Sequence, residues 1–319
     1  MAVVIPDATN RGTAPPPVTG QVPAALRARN DRWANRDWLP AVGFLTPNLV
    51  LFTVFIIIPV LLAIGLSFTS WNLVGSPHWA GLQNYRQLLN DPAVPQAIGT
   101  TMQFLVVGVV PTVVIGLVLA MLVNTQFPLV AAVRTLYFVP AVVSFAASAV
   151  LWQWLYRPGQ GILDYLLHQV GIIGPAWLSN THTALFALDI VAIWLSLPTT
   201  VLLYLAALQR IPAQTIEAAT LDGAGAFRRL RYIIWPGVRN MTILVVIISV
   251  LAFTNGSFDL VNIMTQGGPI NATTTLIYYI YYTAFNNIQL GYAAALSVLQ
   301  LLLFGALLAL LALVRRLTT

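Results

Sequence analysis

The sequence predicts an all-α membrane protein with six transmembrane helices. Apolar residues make up 58% of its 319 residues and charged residues only 8%, whereas a soluble domain carries about 25% charged residues. Six apolar stretches are long enough to cross a hydrocarbon core of about 30 Å, which takes roughly 20 helical residues. Because backbone polar groups find no water inside a bilayer, each of these stretches is expected to be an α-helix.

Residues 1–41 are predicted to be a cytoplasmic tail that precedes the membrane domain, 42–319. The run Ala14-Pro15-Pro16-Pro17 and its polar surroundings predict disorder at the start of the tail. The stretch 24–38 carries four arginines and two tryptophans. That composition fits a solvated basic anchor, or a short surface helix that binds a partner. The polar lead is too long, and the first apolar run too extended, for a cleaved signal peptide.

The six spans are predicted at about 42–69, 98–123, 130–156, 184–208, 238–258 and 289–314. An even number of spans places both termini on one side of the membrane. Thirteen of the fifteen arginines then lie on that side, and only Arg86 and Arg157 lie on the other. The positive-inside rule predicts that both termini are cytoplasmic. Topology therefore accounts for the net charge of +6, with membrane lipid and not nucleic acid as the partner.

Catalytic and metal-binding patterns are missing from the sequence. The chain has no cysteine, and its basic residues are all arginine, so a P-loop lysine and a cysteine metal site are excluded. The three histidines, His78, His168 and His182, all fall in predicted outside loops. We therefore expect no catalytic residue, no metal and no cofactor on this chain.

The polar loop between the fourth and fifth spans, 210–236, carries the one glutamate of the chain, Glu217. Pro212 suits the first turn of a helix, and residues 213–221 favour its continuation. Glycines near Asp222 predict a sharp turn, after which 226–234 can form a second short helix that leads to the next span. The sequence thus predicts two short helices that present Glu217 to a basic groove of a partner. The alternative is an ordinary amphipathic loop that packs under its own bundle.

Polar residues inside two spans are candidates for a substrate pathway, because they are costly in lipid and usually face a cavity or another helix. Helical spacing places the polar residues of the fourth span on one face and those of the fifth span on another. Serine, threonine and glycine are also enriched where helices pack, which is the alternative interpretation. The candidates are Asp189, Ser196 and Thr199 in the fourth span, and Ser249, Phe253, Asn255 and Gly256 in the fifth.

Several motifs together resemble the permease subunits of ABC importers. The segment Glu217-Ala218-Ala219-Thr220-Leu221-Asp222-Gly223-Ala224, with Pro236 twelve residues later, resembles their cytoplasmic loop. Similar motifs occur throughout 42–314 and are like those of carbohydrate-uptake permeases of the maltose and glycerol-3-phosphate type. They include Ser67-Phe68-Thr69, Gly81-Leu82-Gln83-Asn84-Tyr85, Met264-Thr265-Gln266-Gly267-Gly268-Pro269 and Gly291-Tyr292-Ala293-Ala294-Ala295.

The resemblance implies an ABC type I importer permease fold in the cell (inner) membrane of a prokaryote, without the large outside insertion of the maltose-type subunit. It implies a second homologous permease, two copies of a cytoplasmic ATPase that hold ATP and Mg, and an extracytoplasmic substrate-binding protein. It also implies that the loop docks onto the ATPase, and that the family's sugar site uses the two spans beside this loop. The predicted docking residues are Glu217, Ala218, Ala219, Asp222, Gly223, Ala224 and Arg228.

The expected substrate is a sugar or a related polyol, which makes this chain half of a translocation pathway. Glycerol-3-phosphate or a glycerophosphodiester is the alternative substrate, because importers of these compounds share the motifs. An ion-coupled secondary transporter is the alternative from another class. It would require charged or discontinuous helices at the middle of the bilayer, where these spans carry almost no charge.

Overall fold

The computed structural model describes residues 38–73, 75–125 and 130–318. The predictions for the tail fall on residues that lie almost entirely outside this described part. The chain divides into two compact units, one that ends at Val60 and one that begins at Leu61. Helices dominate the described residues of both units.

The first predicted span is confirmed as an apolar helix, Val42–Leu66, with a mean hydropathy of 3.0. It is built from α1 (Trp38–Phe52), a wider π-helical turn (Thr53–Ile57) and α2 (Ile58–Leu66). At 25 residues it exceeds the roughly 20 residues that a bilayer requires.

A short hairpin and a helix follow α2. Strands β1 (Thr69–Ser70) and β2 (His78–Trp79) pair antiparallel, and α3 spans Gln83–Asn90. The Asn84 side chain is buried and donates hydrogen bonds to the carbonyls of Ser67 and Thr69, each at 2.8 Å. This amide gives the Gly81–Tyr85 motif a structural role, because it satisfies backbone carbonyls where the helix ends.

Three long helices form the core of the unit that begins at Leu61: α4 (Ala93–Asn124), α8 (Ala184–Leu208) and α11 (Trp235–Leu260). Helices α4 and α8 run parallel, because Phe104 shares a buried cluster with Leu188 near their starts, and Ala120 shares another with Tyr204 near their ends. Glycines permit this close approach. A side chain at Gly108 would collide with the ring of Phe253. The Phe253 ring of α11 therefore packs directly against the backbone of α4.

The outer surface of α4 is apolar. Val106, Val110, Val114 and Val118 recur every fourth residue and are all more than half exposed. Side chains at this spacing lie on one helix face. A water-soluble protein rarely exposes such a row, so this face is consistent with a lipid or protein environment inside the membrane.

The third span is broken, which corrects the prediction of one continuous helix over 130–156. Helix α5 (Val130–Phe138) and a 3-10 turn (Val139–Val142) are followed by α6 (Phe145–Leu155), and the two halves meet at a bend of 114°. Pro140 lies in the turn and cannot donate a backbone hydrogen bond. Ser144 then starts a new helix, because its hydroxyl accepts from the Ala147 amide at 3.2 Å. The described residues hold five spanning helices, or six if this bent pair counts as one.

The remaining elements are short helices around α8 and α11, followed by the last span. Helix α7 spans Ile162–Gln169, α9 Ala213–Leu221 and α10 Ala226–Arg229, and α10 continues through a π-helical turn (Leu230–Ile234) into α11. After α11 come a second π-helical turn (Val261–Thr265), α12 (Leu276–Tyr281), a third π-helical turn (Tyr282–Asn286) and α13 (Leu290–Thr318).

The fifth span extends well beyond its predicted limits of 238–258. Residues Ala226–Thr265 form one helical stretch of 40 residues, so the second short helix of the predicted loop is the beginning of this span. Pro236 does not interrupt it. A wider turn directly before the proline leaves room for its ring and for the backbone carbonyl that it cannot bond.

Candidate functional site

The loop between α8 and α11 is folded as a helical elbow. Helix α9 has the bounds that the sequence predicts, 213–221, and begins after Pro212. Gly223 adopts a left-handed conformation with φ of 75°, which a glycine accepts without steric cost. The Arg229 guanidinium donates a hydrogen bond of 2.6 Å to the Thr220 hydroxyl. This bond ties α9 to α10, so the elbow has a defined shape.

The elbow presents most of its predicted docking residues to the exterior. Its Glu217 lies on α9, a helix without buried residues. Leu221 and Phe227 are 89% and 79% exposed, and sequence reasoning missed both. Two large exposed apolar side chains on the same elbow as a carboxylate form a surface suited to contact with another protein. The exposed docking residues are Glu217, Ala218, Asp222, Gly223 and Arg228, while Ala219 and Ala224 are half-buried.

The predicted polar face of α8 is split by burial. Asp189 and Ser196 are buried, but Thr199 is exposed. Thr199 lies three residues after Ser196, about 60° around the helix at 100° per residue. That rotation carries it out of the interior, so these residues do not share one environment.

The predicted residues of α11 show the same division. Ser249, Phe253 and Gly256 are buried, while Asn255 is exposed. The ring of Phe253 packs on that of Phe104 with their centroids 5.4 Å apart. The buried members therefore contribute to helix packing within this chain. Thr199 and Asn255 are the exposed polar candidates, and a pathway role for any of them stays a prediction.

Asp189 is a buried carboxylate near the start of α8. It is 2% exposed, and among the described residues neither of its oxygens has a hydrogen-bond partner. Beside it the Tyr156 hydroxyl donates to the Ala187 carbonyl at 2.9 Å, which fastens the end of α6 to α8. Burial of an unpaired carboxylate is costly, so an ordinary packing role does not explain an aspartate at this position.

A cavity of about 680 Å³ lies at the end of the bundle opposite to the elbow. It is formed at the end of α6 and beside the turn that follows α11, and its lining includes Arg157, Ser179 and Thr265. Gln153 also lines it and donates to the Ile263 carbonyl at 3.3 Å. The sequence offered little signal for this cavity, because its residues come from three distant segments.

Comparison with known proteins identifies the family. The family described as binding-protein-dependent transport system inner membrane component matches residues 104–319. A probable ABC transporter permease of Pyrococcus horikoshii is 31% identical over 82% of this chain and 90% of its own length. The sn-glycerol-3-phosphate transport system permease protein UgpA of Pectobacterium atrosepticum is 34% identical over 84% of this chain and 90% of its own.

Solved structures show the same fold. A chain of a bacterial ABC transporter involved in the import of the acidic polysaccharide alginate superposes with a TM-score of 0.76 at 21% identity, over 91% of this chain and all of that one. Together with the apolar helices, these similarities identify a multi-pass membrane protein with an ABC importer permease fold. The chain belongs to the family of binding-protein-dependent transport system inner membrane components, the permease subunits of ABC transporters.

Proposed function

We propose that this chain forms half of the translocation pathway of an ATP-driven importer for a sugar or a related polyol. The observation that carries the proposal is the elbow, where exposed Glu217 stands beside exposed Leu221 on a helix of defined shape. An acidic residue with apolar neighbours is suited to a basic groove of a partner, since charge complementarity orients the contact and apolar burial strengthens it.

The mechanical role of the elbow follows from its connections. Helix α10 is the first turn of the 40-residue helical stretch Ala226–Thr265. A force applied at the elbow would therefore be transmitted along a rigid element to the opposite end of the bundle. Rigid-body motion of packed helices is an established way to link remote sites. Separate ATPase subunits, two copies with ATP and Mg, would supply this force from the cytoplasm.

A complete importer needs further partners. A second homologous permease would supply the other half of the pathway, and an extracytoplasmic binding protein would deliver the substrate. The family is described as binding-protein-dependent, and one structural neighbour was solved with an alginate-bound periplasmic protein. Both support a binding protein as a partner. The arginine distribution supports an orientation with the elbow and both termini on the cytoplasmic side.

Glycerol-3-phosphate is the second candidate substrate, because a relative of 34% identity carries this compound in its name. Arg157 at the 680 Å³ cavity could pair with a phosphate group. The sugar interpretation has its own support in the similarity to an importer of the acidic polysaccharide alginate. A phosphate group on the substrate, and not charge in general, is therefore the property that distinguishes the two candidates.

The test is uptake by the complete complex reconstituted in liposomes with its ATPase and binding protein. Radiolabelled maltose, glycerol and glycerol-3-phosphate are supplied with ATP inside, and in parallel with a proton or sodium gradient and no ATP. We expect ATP-dependent uptake of a neutral sugar or polyol. Uptake of glycerol-3-phosphate alone would select the second candidate. Uptake driven by an ion gradient without ATP would contradict the importer and favour a secondary transporter.

A further inference from the structure

A second, smaller cavity lies at the end of the bundle opposite to the elbow. Its volume is about 230 Å³, and it is formed by the first turns of α4, the loop after α11, and α12 with the π-helical turn that follows. Four of the residues that line it carry amide side chains: Gln96, Gln266, Asn271 and Asn287. An amide group carries both donors and acceptors of hydrogen bonds, so this lining can match a ligand rich in hydroxyl groups.

Three tyrosines complete the walls of this amide–tyrosine cavity: Tyr278, Tyr279 and Tyr282. The Tyr279 hydroxyl is already engaged, because it donates to the Asp91 carboxylate at 2.6 Å. The single donor of the Tyr279 hydroxyl is therefore not available to a ligand in the cavity. The rings of Tyr278 and Tyr282 lie 6.3 Å apart at an angle of 37°. Aromatic faces of this kind provide apolar contact area beside the polar amides.

Asp91 makes these walls rigid from behind. Its carboxylate accepts from the hydroxyls of Tyr279 and Tyr292, both at 2.6 Å, and from the Ala93 amide at 2.9 Å. Burial alone would raise the pKa of Asp91, but these three hydrogen bonds outweigh burial and lower the pKa. The carboxylate is thus ionised at neutral pH and fixes α12 and α13 against the start of α4.

The backbone at the cavity is held in an uncommon conformation. Gln266 has φ of 52°, in the left-handed region that is uncommon for residues other than glycine and asparagine. Asn271 shares this region with φ of 60°. The loop between them is stabilised by the Thr274 hydroxyl, which donates to the Gly267 carbonyl at 3.2 Å. Strain of this kind is concentrated at ligand sites, where the surroundings hold it in place. Here Gln266 and Asn271 both line the cavity.

We propose that the amide–tyrosine cavity is a binding subsite for a single neutral sugar ring, separate from a pathway between the helices. The proposal rests on the proposed importer function. The volume is below the roughly 300–1,000 Å³ of sites for larger ligands, so one ring and not an oligosaccharide fits. Of the described residues that line the cavity, none is charged, so a phosphate would find no cationic partner of the kind it requires.

The test is calorimetric titration of the complete complex, without binding protein, with methyl α-D-glucopyranoside and separately with glycerol-3-phosphate. We expect saturable binding of the glycoside alone. Tyr282→Leu removes a ring and Asn287→Ala removes an amide, and each should weaken binding at least about tenfold. Phe285→Leu is the matched control, because Phe285 is an exposed aromatic residue of the same π-helical turn that does not line the cavity.

The outcomes separate this inference from the proposed function. Absence of glycoside binding, equal loss of affinity in the Phe285 variant, or unchanged affinity in both cavity variants would each overturn the subsite. Preferential binding of glycerol-3-phosphate would overturn it as well. The proposed function would fail differently, by absence of ATP-dependent uptake in the wild-type complex, whatever the titration shows.

Discussion

The two ends of the membrane bundle are built by different means. At the elbow the chain turns through glycine, with φ of 75° at Gly223, and the short helices are largely exposed. At the opposite end non-glycine residues take left-handed conformations, at Gln266, Ile270, Asn271 and Ile288. A β-branched residue with positive φ is strongly disfavoured. The elbow is therefore encoded locally, whereas the opposite end depends on contacts between distant parts of the chain.

Threonine hydroxyls hold this end in place both locally and across the chain. Within the loop, the Thr273 hydroxyl donates to the Gly268 carbonyl at 2.8 Å. The Thr101 hydroxyl, on α4, accepts from the Leu276 amide at 2.8 Å. A typical hydrogen bond contributes about 0.5–1.5 kcal/mol net, so several are needed to hold a strained loop. The difference indicates that the elbow is a projecting contact surface, whereas the loops of the opposite end are held in one conformation by hydrogen bonds.

The largest expected effect concerns whether these ends lie on opposite sides of the membrane. Gln214 in the elbow and Ser179 at the opposite end are both exposed. The chain has no native cysteine, so a single cysteine introduced at either position can be labelled specifically. In intact cells, an impermeant maleimide should label the Ser179→Cys variant and leave Gln214→Cys unlabelled. The positive-inside bias is the reason.

Permeabilised cells provide the control, because both cysteines should then react. Labelling of both variants in intact cells, or labelling of Gln214→Cys alone, would refute the proposed orientation. The unsubstituted protein sets the background signal.

The next effect concerns coupling at the elbow. Glu217→Lys replaces the carboxylate by a cation where a basic partner groove is expected. Loss of a buried charged contact costs about 2–5 kcal/mol, so the ATPase should no longer co-purify and substrate-stimulated hydrolysis should disappear. Membrane insertion should be unchanged, because Glu217 lies on α9 and not in a spanning helix.

Thr215→Lys is the matched control for this prediction. Thr215 is also exposed on α9, but two residues correspond to about 200° around a helix, so its side chain points away from that of Glu217. We expect normal assembly and hydrolysis in this variant. If Glu217→Lys behaves like the control, the elbow is not the coupling element.

The same contrast explains what the sequence could predict. The limits of α9 and the turn at Gly223 were accessible, because proline, glycine and helix formers act on their own neighbours. The broken third span was not. Pro140 marks the break, yet Pro111 and Pro198 lie inside α4 and α8 without ending them. A proline in the sequence therefore does not by itself predict where a helix ends, since the surrounding packing determines whether the helix continues through it.

Candidate site residues show a related limit. Spacing placed Asp189, Ser196 and Thr199 together, but burial separates Thr199 from the other two. A periodic pattern gives the angular position of each residue around its helix, but it does not say which other element covers each face of that helix. The amide–tyrosine cavity escaped prediction for a similar reason, because its residues come from segments far apart in the chain.

The smallest expected effect concerns the region between the two ends. Thr199 is exposed, and Ser249 is only 2% exposed. Thr199→Leu should leave stability within about 0.5 kcal/mol, as surface substitutions do, but reduce uptake about tenfold if Thr199 contacts the substrate. Ser249→Leu should act through packing, because overfilling a core costs about 1–3 kcal/mol. Its thermal midpoint should fall together with uptake.

Thermal unfolding and uptake are therefore measured on the same preparations of both variants. Ile190→Leu is the control, because Ile190 is exposed on α8 and lies nine residues from Thr199, about 180° around the helix. It should change neither quantity. Normal uptake in Thr199→Leu would remove Thr199 from the pathway. Reduced uptake with an unchanged thermal midpoint in Ser249→Leu would show that Ser249 contacts the substrate and does not act through packing alone. The buried polar residues of α11 would then belong to the pathway despite their burial, because such a site would have to open during transport.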